Sequence, residues 1–419
     1  MGVPTSDSLR SALLHHFGYP DFRPGQEVLV RAALEGRDAV GLLPTGGGKS
    51  VTYLLPAALG RGVTLVVSPL VSLMADQRRR GIEARLRTEA LHSGVSARER
   101  RDILGRALAG HLDVLLLAPE RLGSPTLAPL LASGQVGRVA VDEAHCLIQW
   151  GFDFRPAYLA LAGIGRRLRC PVLAVTATAT PEVRVGIERV LGLRRPVRVR
   201  QSFDRPNLAW RVRRVRGEGA RWAALVELLG RPGPALVYAP TRRSVEAVRD
   251  ALARLGFGAE AYHAGLSDPE RSRMQDRFIA GEVRLVVATN AFGMGVDKAD
   301  VRQVVHWAPP GSIEAWYQEA GRAGRDGEPA ACTVLWHPED LRLQRRLASS
   351  GATDRDGADD ARAGERRRWA RARARRLRAL GRFLRGRRCR RAVVLDYLGE
   401  DDPPRSCAAC DRCAGPSSL

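Results

Sequence analysis

The stretch LLPTGGGKS, from Leu42 to Ser50, indicates the fold of this 419-residue chain. It begins at the end of DAVGLL, an apolar run typical of a buried strand, and it precedes a segment that should form a helix. A glycine-rich turn between a strand and a helix leaves backbone N–H groups free to hold phosphate, and a lysine can reach the phosphate oxygens. Leu43 replaces the first glycine of the general pattern G-x-x-x-x-G-K-S/T, so we expect a variant phosphate loop. Its expected nucleotide contacts are Thr45, Gly46, Gly47, Gly48, Lys49 and Ser50.

Lysine is almost absent from the chain. Of its 67 Lys and Arg residues, only Lys49 and Lys298 are lysines. A composition bias that replaces lysine with arginine explains this scarcity, and the two survivors then mark positions where a wide planar guanidinium does not serve. For Lys49 we predict a functional role, because it lies in the phosphate loop. For Lys298, in GMGVDK, function and chance survival both stay open.

The net charge of +22 indicates a polyanionic partner, and most of it lies in one segment. Between Arg362 and Arg391 there are fifteen arginines and one acidic residue, Glu365. Apolar residues recur there with helical spacing, so we predict a basic helix that contacts a phosphate backbone rather than only a solvated face. These apolar residues are Trp369, Leu377, Leu380, Phe383 and Leu384.

The distribution of apolar runs predicts two α/β lobes. Short apolar runs alternate with helical segments to about residue 337, which is typical of parallel sheets covered by helices. The first set is DAVGLL, VTLVVS, DVLLLA, RVAVDE and VLAVTA, and the second is PALVYA, AEAYHA, VRLVVAT, QVVHWA and CTVLWH. A polar crossing, QSFDRPNLAW, separates the sets. We predict RecA-like lobes at 1–202 and 208–340, followed by a basic helical, cysteine-rich subdomain at 341–419.

No membrane segment is predicted. The chain has no run of about 18 apolar residues, and its N-terminus lacks the apolar core of a signal peptide. We therefore expect a cytoplasmic protein without a membrane partner.

The segment VAVDEAH ends a predicted strand and adds groups that nucleotide hydrolysis needs. Asp142 can hold Mg²⁺ together with Ser50, and Glu143 can orient and deprotonate the attacking water. His145 is either part of this site or a buried structural histidine.

The segment WYQEAGRAGRDG places Gln318, Arg322 and Arg325 in the second lobe. An arginine from this lobe can stabilise the charge that develops on the γ-phosphoryl group of ATP, so hydrolysis would depend on closure of the two lobes. In a chain so rich in arginine, a structural role is the alternative.

These motifs resemble those of superfamily-two helicases, and specifically those of the RecQ family. The resemblance runs from about Phe17 to Cys413 through FGYPDFRPGQ, VVSPLVSLMADQ, DEAHCLIQWGFDFRPAY, AVTATAT, ATNAFGMGVDK and QEAGRAGRDG. FGYPDFRPGQ is similar to the family's adenine motif. This similarity implies that Tyr19 and Arg23 stack on the base while Gln26 bonds to its edge.

The resemblance also implies a DNA-sensing loop after Asp142 and Glu143. In this family an aromatic-rich loop couples single-stranded DNA to ATP turnover, and here the loop is QWGFDFRP. Its candidates for base stacking and phosphate contact are Trp150, Phe152, Phe154 and Arg155. Phe152 stands where the family pattern has a histidine, and a phenylalanine can stack on a base but cannot make a polar contact as that histidine would.

Four of the seven cysteines lie near the C-terminus and predict a structural zinc site. They are Cys389, Cys407, Cys410 and Cys413. Four thiolates, three of them set by two overlapping C-x₂-C spacings, can surround Zn²⁺ tetrahedrally and leave no open position. The zinc-binding subdomain of the RecQ family has a similar pattern. The other cysteines, Cys146, Cys170 and Cys332, are expected in the core.

The resemblance implies an enzyme that uses ATP, Mg²⁺ and Zn²⁺ and unwinds DNA in the 3′→5′ direction during recombination or repair. Its expected partners are single-stranded and forked DNA, with single-strand-binding protein or other repair factors as candidates, and its expected location is the nucleoid. The chain ends six residues after Cys413, so the winged-helix and terminal helical domains of many family members are expected to be missing.

Three alternatives stay open. In this family the winged-helix domain often supplies the wedge that splits base pairs, so without it the protein could be a DNA-stimulated ATPase or translocase that unwinds weakly. It could also be a zinc-anchored DNA-binding or annealing protein without enzymatic activity, although intact Lys49, Asp142, Glu143 and Arg325 argue against this. RNA is a third possibility for the substrate.

Overall fold

A computed structural model describes residues 4–44, 46–69, 71–149, 156–293, 298–350 and 360–414. The chain divides into two compact units, Met1–Phe203 and Asp204–Leu419. The second unit includes both the second sheet and the cysteine-rich end of the chain. Each unit is described by itself below.

The first unit is built on a parallel sheet of seven strands. The strands are β1 (Ala39–Leu42), β2 (Val63–Val67), β3 (Thr88–Leu91), β4 (Val114–Leu117), β5 (Val136–Val141), β6 (Val172–Thr176) and β7 (Val197–Arg200). They are arranged in the order β3-β4-β2-β5-β6-β1-β7, so β6 lies between β5 and β1. All residues of β1, β2, β4 and β6 are buried, as expected for strands covered on both faces.

Nine described helices accompany this sheet. They are α1 (Ser6–Phe17), α2 (Gln26–Leu34), α3 (Val51–Leu59), α4 (Val71–Glu83), α5 (Ala97–Leu108), α6 (Ala128–Ala132), α7 (Cys146–Gln149), α8 (Ile164–Leu168) and α9 (Pro181–Leu191). Two short 3₁₀ turns, Pro119–Arg121 and Pro156–Leu161, complete the described elements of the unit. Helix α3 begins directly after the phosphate loop, because Ser50 is its N-cap residue.

The second unit contains a parallel sheet of six strands. The strands are β8 (Leu208–Arg214), β9 (Ala235–Tyr238), β10 (Ala259–Tyr262), β11 (Leu285–Ala288), β12 (Gln303–His306) and β13 (Ala330–Trp336). Their order is β10-β11-β9-β12-β13-β8. Together the two sheets confirm the predicted α/β class.

Seven described helices belong to this unit. They are α10 (Glu218–Leu229), α11 (Arg242–Arg254), α12 (Asp268–Ala280), α13 (Ile313–Ala320), α14 (Pro338–Ser350), α15 (Asp360–Arg385) and α16 (Arg390–Leu398). The basic segment therefore forms α15 and continues into α16. None of the helices in the described ranges combines the length and the apolarity that crossing a bilayer requires.

The sequence patterns missed three strands, and all three lie at the edge of a sheet. They are β3 (TEAL), β7 (VRVR) and β8 (LAWRVRR), and each includes residues that are only partly buried. An edge strand is covered less than a central one, so it has no continuous apolar run. The segment QSFDRPNLAW, which the sequence patterns treated as a polar crossing, also contains the start of an edge strand, since β8 begins at Leu208.

Candidate nucleotide site and metal centre

The phosphate loop follows the carboxyl end of β1. It is held by a backbone hydrogen bond to β6 and by two side chains at or just before the start of α2. The backbone N–H of Leu43 donates to Thr176 O of β6 at 3.0 Å. The Gln26 amide donates to Gly47 O at 3.2 Å and to Gly48 O at 3.0 Å. The Arg23 guanidinium donates to Gly46 O. The loop is thus fastened by polar contacts within the first unit, while predicted contact Thr45 lies outside the described residues.

Gly48 has a backbone conformation and a neighbour that both require glycine. Its φ is +69°, in the left-handed region that side chains disfavour. A Cβ atom built on Gly48 would lie 2.4 Å from Gln26 Nε2. A side chain at this position would therefore displace the amide that holds the loop.

The adenine-motif residues are placed differently from one another. Tyr19 is half exposed and stacks on Phe17, with ring centroids 6.5 Å apart, so its outer face is open to a ligand. Gln26 is buried, and its Oε1 accepts from the Arg23 backbone N–H at 2.8 Å. Both ends of the Gln26 amide are therefore used by the protein, and base recognition by Gln26 would have to replace at least one of these bonds.

Lys49 points from the loop to the acidic pair at the end of β5. Its Nζ lies 3.3 Å from Glu143 Oε1, and both side chains are largely buried. The two strands concerned, β1 and β5, are separated in the sheet by β6 alone. Carboxyl ends of neighbouring parallel strands meet at one edge of a sheet, so two residues far apart in the sequence come together here.

Asp142 is buried and held by two residues for which the sequence patterns predicted no role. The Gln77 amide on α4 donates to Asp142 Oδ2, and the Tyr53 hydroxyl on α3 lies 3.5 Å from the same atom. Asp142 Oδ1 accepts from the Glu143 backbone N–H at 2.8 Å. Gln77 lies in VVSPLVSLMADQ, so its place in a recognised motif was the available signal.

The two carboxylates have opposite pKa shifts. Burial, and then the neighbouring Glu143, raise the pKa of Asp142 to about 6. Burial acts in the same direction on Glu143, but the Lys49 ammonium and then His145 outweigh it and hold the pKa of Glu143 below its usual range. At Asp142 burial instead outweighs the nearby cations, and this environment fits a site that Mg²⁺ completes, because a divalent cation favours the ionised carboxylate.

Glu143 has a strained backbone. Its φ of +47° lies in the left-handed region, which is uncommon for residues other than glycine. Such conformations cost about 1–3 kcal/mol and are concentrated at functional sites. The strain at this residue agrees with the predicted role of its carboxylate in orienting water.

His145 links the acidic pair to β6. Its Nδ1 lies 2.7 Å from Thr176 Oγ1 and 3.3 Å from Glu143 Oε2, and the imidazole is buried. The His145 side chain is therefore a buried group that also contacts Glu143, and a part in the chemistry of the site stays a prediction. Thr176, from AVTATAT, is a further polar residue of the site for which the sequence patterns predicted no role.

Gln318, Arg322 and Arg325 lie on α13 and the turn that follows it. Gln318 is one of two residues of this eight-residue helix that are not buried. The Arg322 guanidinium donates to Gly293 O, and the Arg325 backbone N–H donates to Ala299 O at 3.0 Å. The backbone that carries these three predicted residues is therefore a helix end and the turn after it, both held by hydrogen bonds within the second unit.

Lys298 has a packing role. Its Nζ lies 3.1 Å from Asp300 Oδ1 and donates to Ile279 O, in the last turn of α12, at 3.4 Å. It also lies 5.7 Å from the ring centroid of Phe278. A cation at the carboxyl end of a helix is stabilised by the helix dipole, and since arginine would be stabilised in the same way, function and chance survival of this lysine both stay open.

The four terminal cysteines converge. Their Sγ atoms all lie within 4.8 Å of one another, and the Cys389 and Cys410 atoms are 3.9 Å apart. Tetrahedral Zn²⁺ with Zn–S bonds of about 2.3 Å requires sulfurs about 3.8 Å apart, so the donor set fits zinc. Burial raises the pKa of the Cys389 thiol to about 12, so a cation is needed to keep this thiol ionised.

The surroundings of the cluster hold it in place. Cys389 is the N-cap residue of α16, and the Arg390 backbone N–H donates to Cys410 Sγ at 3.4 Å. The Arg390 side chain is buried and pairs with Asp411 at 2.9 Å. Cys146 and Cys332 are buried as predicted, whereas Cys170 is only partly buried.

The basic segment contains two kinds of arginine, which its composition did not distinguish. One kind is paired inside the unit: Arg376 lies 3.6 Å from the buried Glu314, and Arg391 lies 3.3 Å from Asp204. Arg390 belongs to the same kind. The prediction that the whole segment from Arg362 to Arg391 serves as a phosphate-binding surface is therefore wrong for these three residues.

The other kind forms an exposed line along α15. Its members, which we call the arginine stripe, are Arg371, Arg375, Arg378, Arg382 and Arg385. Their alternating spacing of four and three residues puts them on one face of a helix. Leu380, Phe383 and Leu384 are buried on the opposite face, which confirms that part of the predicted apolar stripe. At the rise of an α-helix, the arginine stripe extends over about 21 Å.

The predicted DNA-sensing residues Trp150, Phe152, Phe154 and Arg155 lie outside the described residues. Their role stays a prediction.

The fold and the site define a class: P-loop proteins with two helicase-type α/β units. Residues 23–185 match the DEAD/DEAH box helicase model, 220–327 match the helicase conserved C-terminal domain, and 338–414 match the RecQ zinc-binding model. The chain belongs to the RecQ family of helicases.

Curated relatives support this assignment. The chain is 39% identical to a probable ATP-dependent DNA helicase, RecS, of Bacillus subtilis (strain 168), over 81% of the chain and 69% of that protein. It is 36% identical to the ATP-dependent DNA helicase RecQ of Pasteurella multocida (strain Pm70), over 99% of the chain and 63% of that protein. The chain thus spans about 63% of the length of this RecQ protein.

Solved structures share the fold. The helicase Lhr of Mycobacterium smegmatis, bound to ssDNA and AMP-PNP, has a TM-score of 0.63 at 23% identity, covering 82% of this chain and 50% of that one. The DUF1998 helicase MrfA, bound to DNA and AMPPNP, has a TM-score of 0.67 at 21% identity, covering 83% of this chain and 53% of that one. At these identities the likeness concerns the fold alone.

Proposed function

We propose that this chain is the motor of a RecQ-type DNA helicase, which couples ATP hydrolysis to 3′→5′ movement on single-stranded DNA and to strand separation. The observation that carries the proposal is the contact between Lys49 and Glu143 at 3.3 Å. This contact joins a phosphate loop to a strained carboxylate beside a buried aspartate, which is the arrangement that nucleotide hydrolysis requires.

The residues of the first unit would bind ATP and Mg²⁺ and activate water. Tyr19 and Arg23 would stack on adenine, and the loop N–H groups with Lys49 would hold the phosphates. Ser50 and Asp142 would hold Mg²⁺, which when bound supplies positive charge to the phosphate oxygens. With ATP present, Lys49 would exchange Glu143 for phosphate, and Glu143 would be free to accept a proton from water.

The residues of the second unit would complete the reaction and hold the nucleic acid. We assign Gln318, Arg322 and Arg325 to the stabilisation of charge on the γ-phosphoryl group. The zinc-binding subdomain at 341–419, which includes the arginine stripe, would hold duplex DNA through phosphates, which carry no sequence information. Forked DNA is then the preferred substrate, and the nucleoid, with single-strand-binding protein or repair factors, is the proposed setting.

Parallel ATPase and strand-separation assays test the proposal. The substrates are 3′-tailed, 5′-tailed and blunt DNA duplexes, with a 3′-tailed RNA duplex as the control. We expect single-stranded DNA to stimulate hydrolysis and the 3′-tailed DNA to be unwound best. Glu143→Gln is the matched control, since it should bind ATP yet lose hydrolysis and unwinding together.

The alternatives give different results in the same assays. Stimulated hydrolysis without strand separation would identify a translocase. DNA binding or annealing that is unchanged in Glu143→Gln, with no hydrolysis by the unmodified chain, would identify a non-enzymatic protein. Stimulation by RNA alone would reassign the substrate.

A further inference from the structure

Helix α13 is buried on nearly all sides, although it carries two carboxylates. Six of its eight residues are buried, among them Glu314 and Glu319. Trp316, between them, makes edge contacts with Trp210 at 5.2 Å and tilted contacts with Phe383 at 5.0 Å. Buried carboxylates are costly unless they are paired, so each one needs an explanation.

Glu319 is explained by the sheet. Its Oε2 lies 2.8 Å from Nε2 of His306, the last residue of β12, and both side chains are buried. This contact fastens the carboxyl end of α13 to the carboxyl end of a central strand. The segment that carries Arg322 begins directly after this point.

Glu314 connects α13 to the zinc-binding subdomain instead. Its Oε1 accepts from the Tyr397 hydroxyl of α16 at 2.9 Å and lies 3.6 Å from Arg376 Nε of α15. Glu314 is about 1% exposed, and within the described part of the chain its Oε2 has no hydrogen-bond partner. A buried charge of this kind is weak evidence for stability, because apolar residues of similar volume often stabilise a core as well or better.

Helix α16 extends from the cysteine cluster to Glu314. Its N-cap residue, Cys389, is a proposed zinc ligand, and Tyr397 lies eight residues further along the chain. Eight residues of helix span about 12 Å. The Arg390–Asp411 pair fixes the start of this helix, so the position of Tyr397 follows from that of the metal site.

We propose that Glu314 is a positioning residue through which the zinc-binding subdomain sets α13 and, with it, Gln318, Arg322 and Arg325. This proposal rests on the proposed function, because it assigns those three residues a role in ATP hydrolysis. The zinc site then contributes to turnover, and not only to folding, by way of the Tyr397–Glu314 hydrogen bond.

Tyr397→Phe is the sharpest variant, since it removes one oxygen and keeps the ring. With a saturating short DNA strand, we expect kcat for ATP to fall by about tenfold, the size expected for one hydrogen bond to a charged group. KM for ATP and affinity for ADP should stay within about twofold, while affinity for the transition-state mimic ADP–aluminium fluoride falls with kcat. Zinc content should equal that of the unmodified chain.

Asp396→Asn is the matched control. Asp396 is the neighbour of Tyr397 on α16, and it is exposed and paired only weakly, at 3.5 Å, with the exposed Arg388. This variant should leave kcat unchanged. Glu314→Gln provides a second approach to the same link, because it removes the charge that faces Arg376 while it keeps the shape of the side chain.

The outcomes separate this proposal from the proposed function. If Tyr397→Phe lowers the melting temperature but leaves kcat and ADP–aluminium fluoride affinity unchanged, Glu314 is structural and the inference is wrong. Equal losses of affinity for ADP and for ADP–aluminium fluoride would also overturn the inference. Absence of DNA-stimulated hydrolysis in the unmodified chain would instead overturn the proposed function before any variant is compared.

Discussion

The phosphate loop and the basic segment use positive charge in opposite ways. The loop contains one cation, Lys49, which is largely buried and faces Glu143 at 3.3 Å. The basic segment contains fifteen arginines, of which five form the exposed arginine stripe and three are paired inside the second unit. The effect of a cation therefore depends on its desolvation and its fixed partners, and not on the local density of charge.

Lys49→Arg should have the largest effect on activity, although the charge is kept, if the shape and fixed surroundings of this cation matter. The substitution keeps the charge but replaces a compact ammonium with a wide planar group in a loop already filled by Gln26 and Arg23 contacts. We expect ATP turnover to fall at least about a hundredfold, as for the loss of a fixed electrostatic donor. Steady-state hydrolysis measures the effect, and turnover close to that of the unmodified chain would contradict the assigned site.

Cys410→Ser tests the end of the basic segment, where the cysteine cluster fixes α16. Removal of one of four thiolates should abolish tight zinc binding, and the metal contributes directly to folding of such sites. We expect loss of zinc by elemental analysis and early unfolding of the second unit in thermal scans. Cys170→Ser is the matched control, because Cys170 lies in the first unit and is not one of the four clustered cysteines. A freshly purified unmodified chain without zinc would contradict the prediction.

Arg390→Ala should separate paired from exposed arginines within one segment. Arg390 is about 1% exposed and pairs with Asp411, so its loss removes the buried partner of that carboxylate and leaves it facing the more exposed Arg412 at 3.4 Å. We expect the free energy of unfolding to fall by about 3 kcal/mol. Arg388→Ala, which removes an exposed pair, should change it by less than about 1 kcal/mol. Equal effects in denaturant titrations would show that the two arginines are equivalent.

Substitution of three members of the arginine stripe should have the smallest effect on folding. Changing Arg371, Arg378 and Arg382 to Ala should leave thermal stability nearly unchanged, because all three are exposed. On forked DNA, the slope of log affinity against log salt should flatten by about 0.9 for each phosphate that the variant no longer neutralises. ATP hydrolysis on a short single strand should stay intact. An unchanged salt slope would identify the arginine stripe as a solvated face.

The arginines suited to such an experiment are those of the arginine stripe. The sequence does not distinguish Arg373, Arg376 and Arg378, since they lie in one run of similar letters. Arg376 instead contacts the buried Glu314, so its removal would disturb α13 and confuse a test of DNA binding. Whether an arginine of this segment is exposed to solvent or paired inside the unit depends on its burial, and the local sequence pattern does not show which carboxylate it contacts.

Much of the candidate nucleotide site could be predicted because its sequence motifs are local. The loop residues Gly46 to Ser50 and the pair Asp142 and Glu143 each follow a strand that an apolar run identifies. In a parallel sheet the carboxyl ends of strands share one edge, so the convergence of these motifs follows from the fold class. The four cysteines were predictable in the same way, since their spacing suits one metal.

The sequence by itself thus determined the fold class, the family resemblance, the two motifs that meet at the end of the first sheet and the cluster of four cysteines, because each rests on residues close together in the chain. Only the tertiary structure decided that Gln77 and Tyr53 hold Asp142, that Gln26 holds the loop, and that Arg376 and Tyr397 meet Glu314. These contacts join residues that are far apart in the chain, and the polar side chains involved have no periodic signal. They depend on which side chains the packing buries together, and burial is a property of the folded chain.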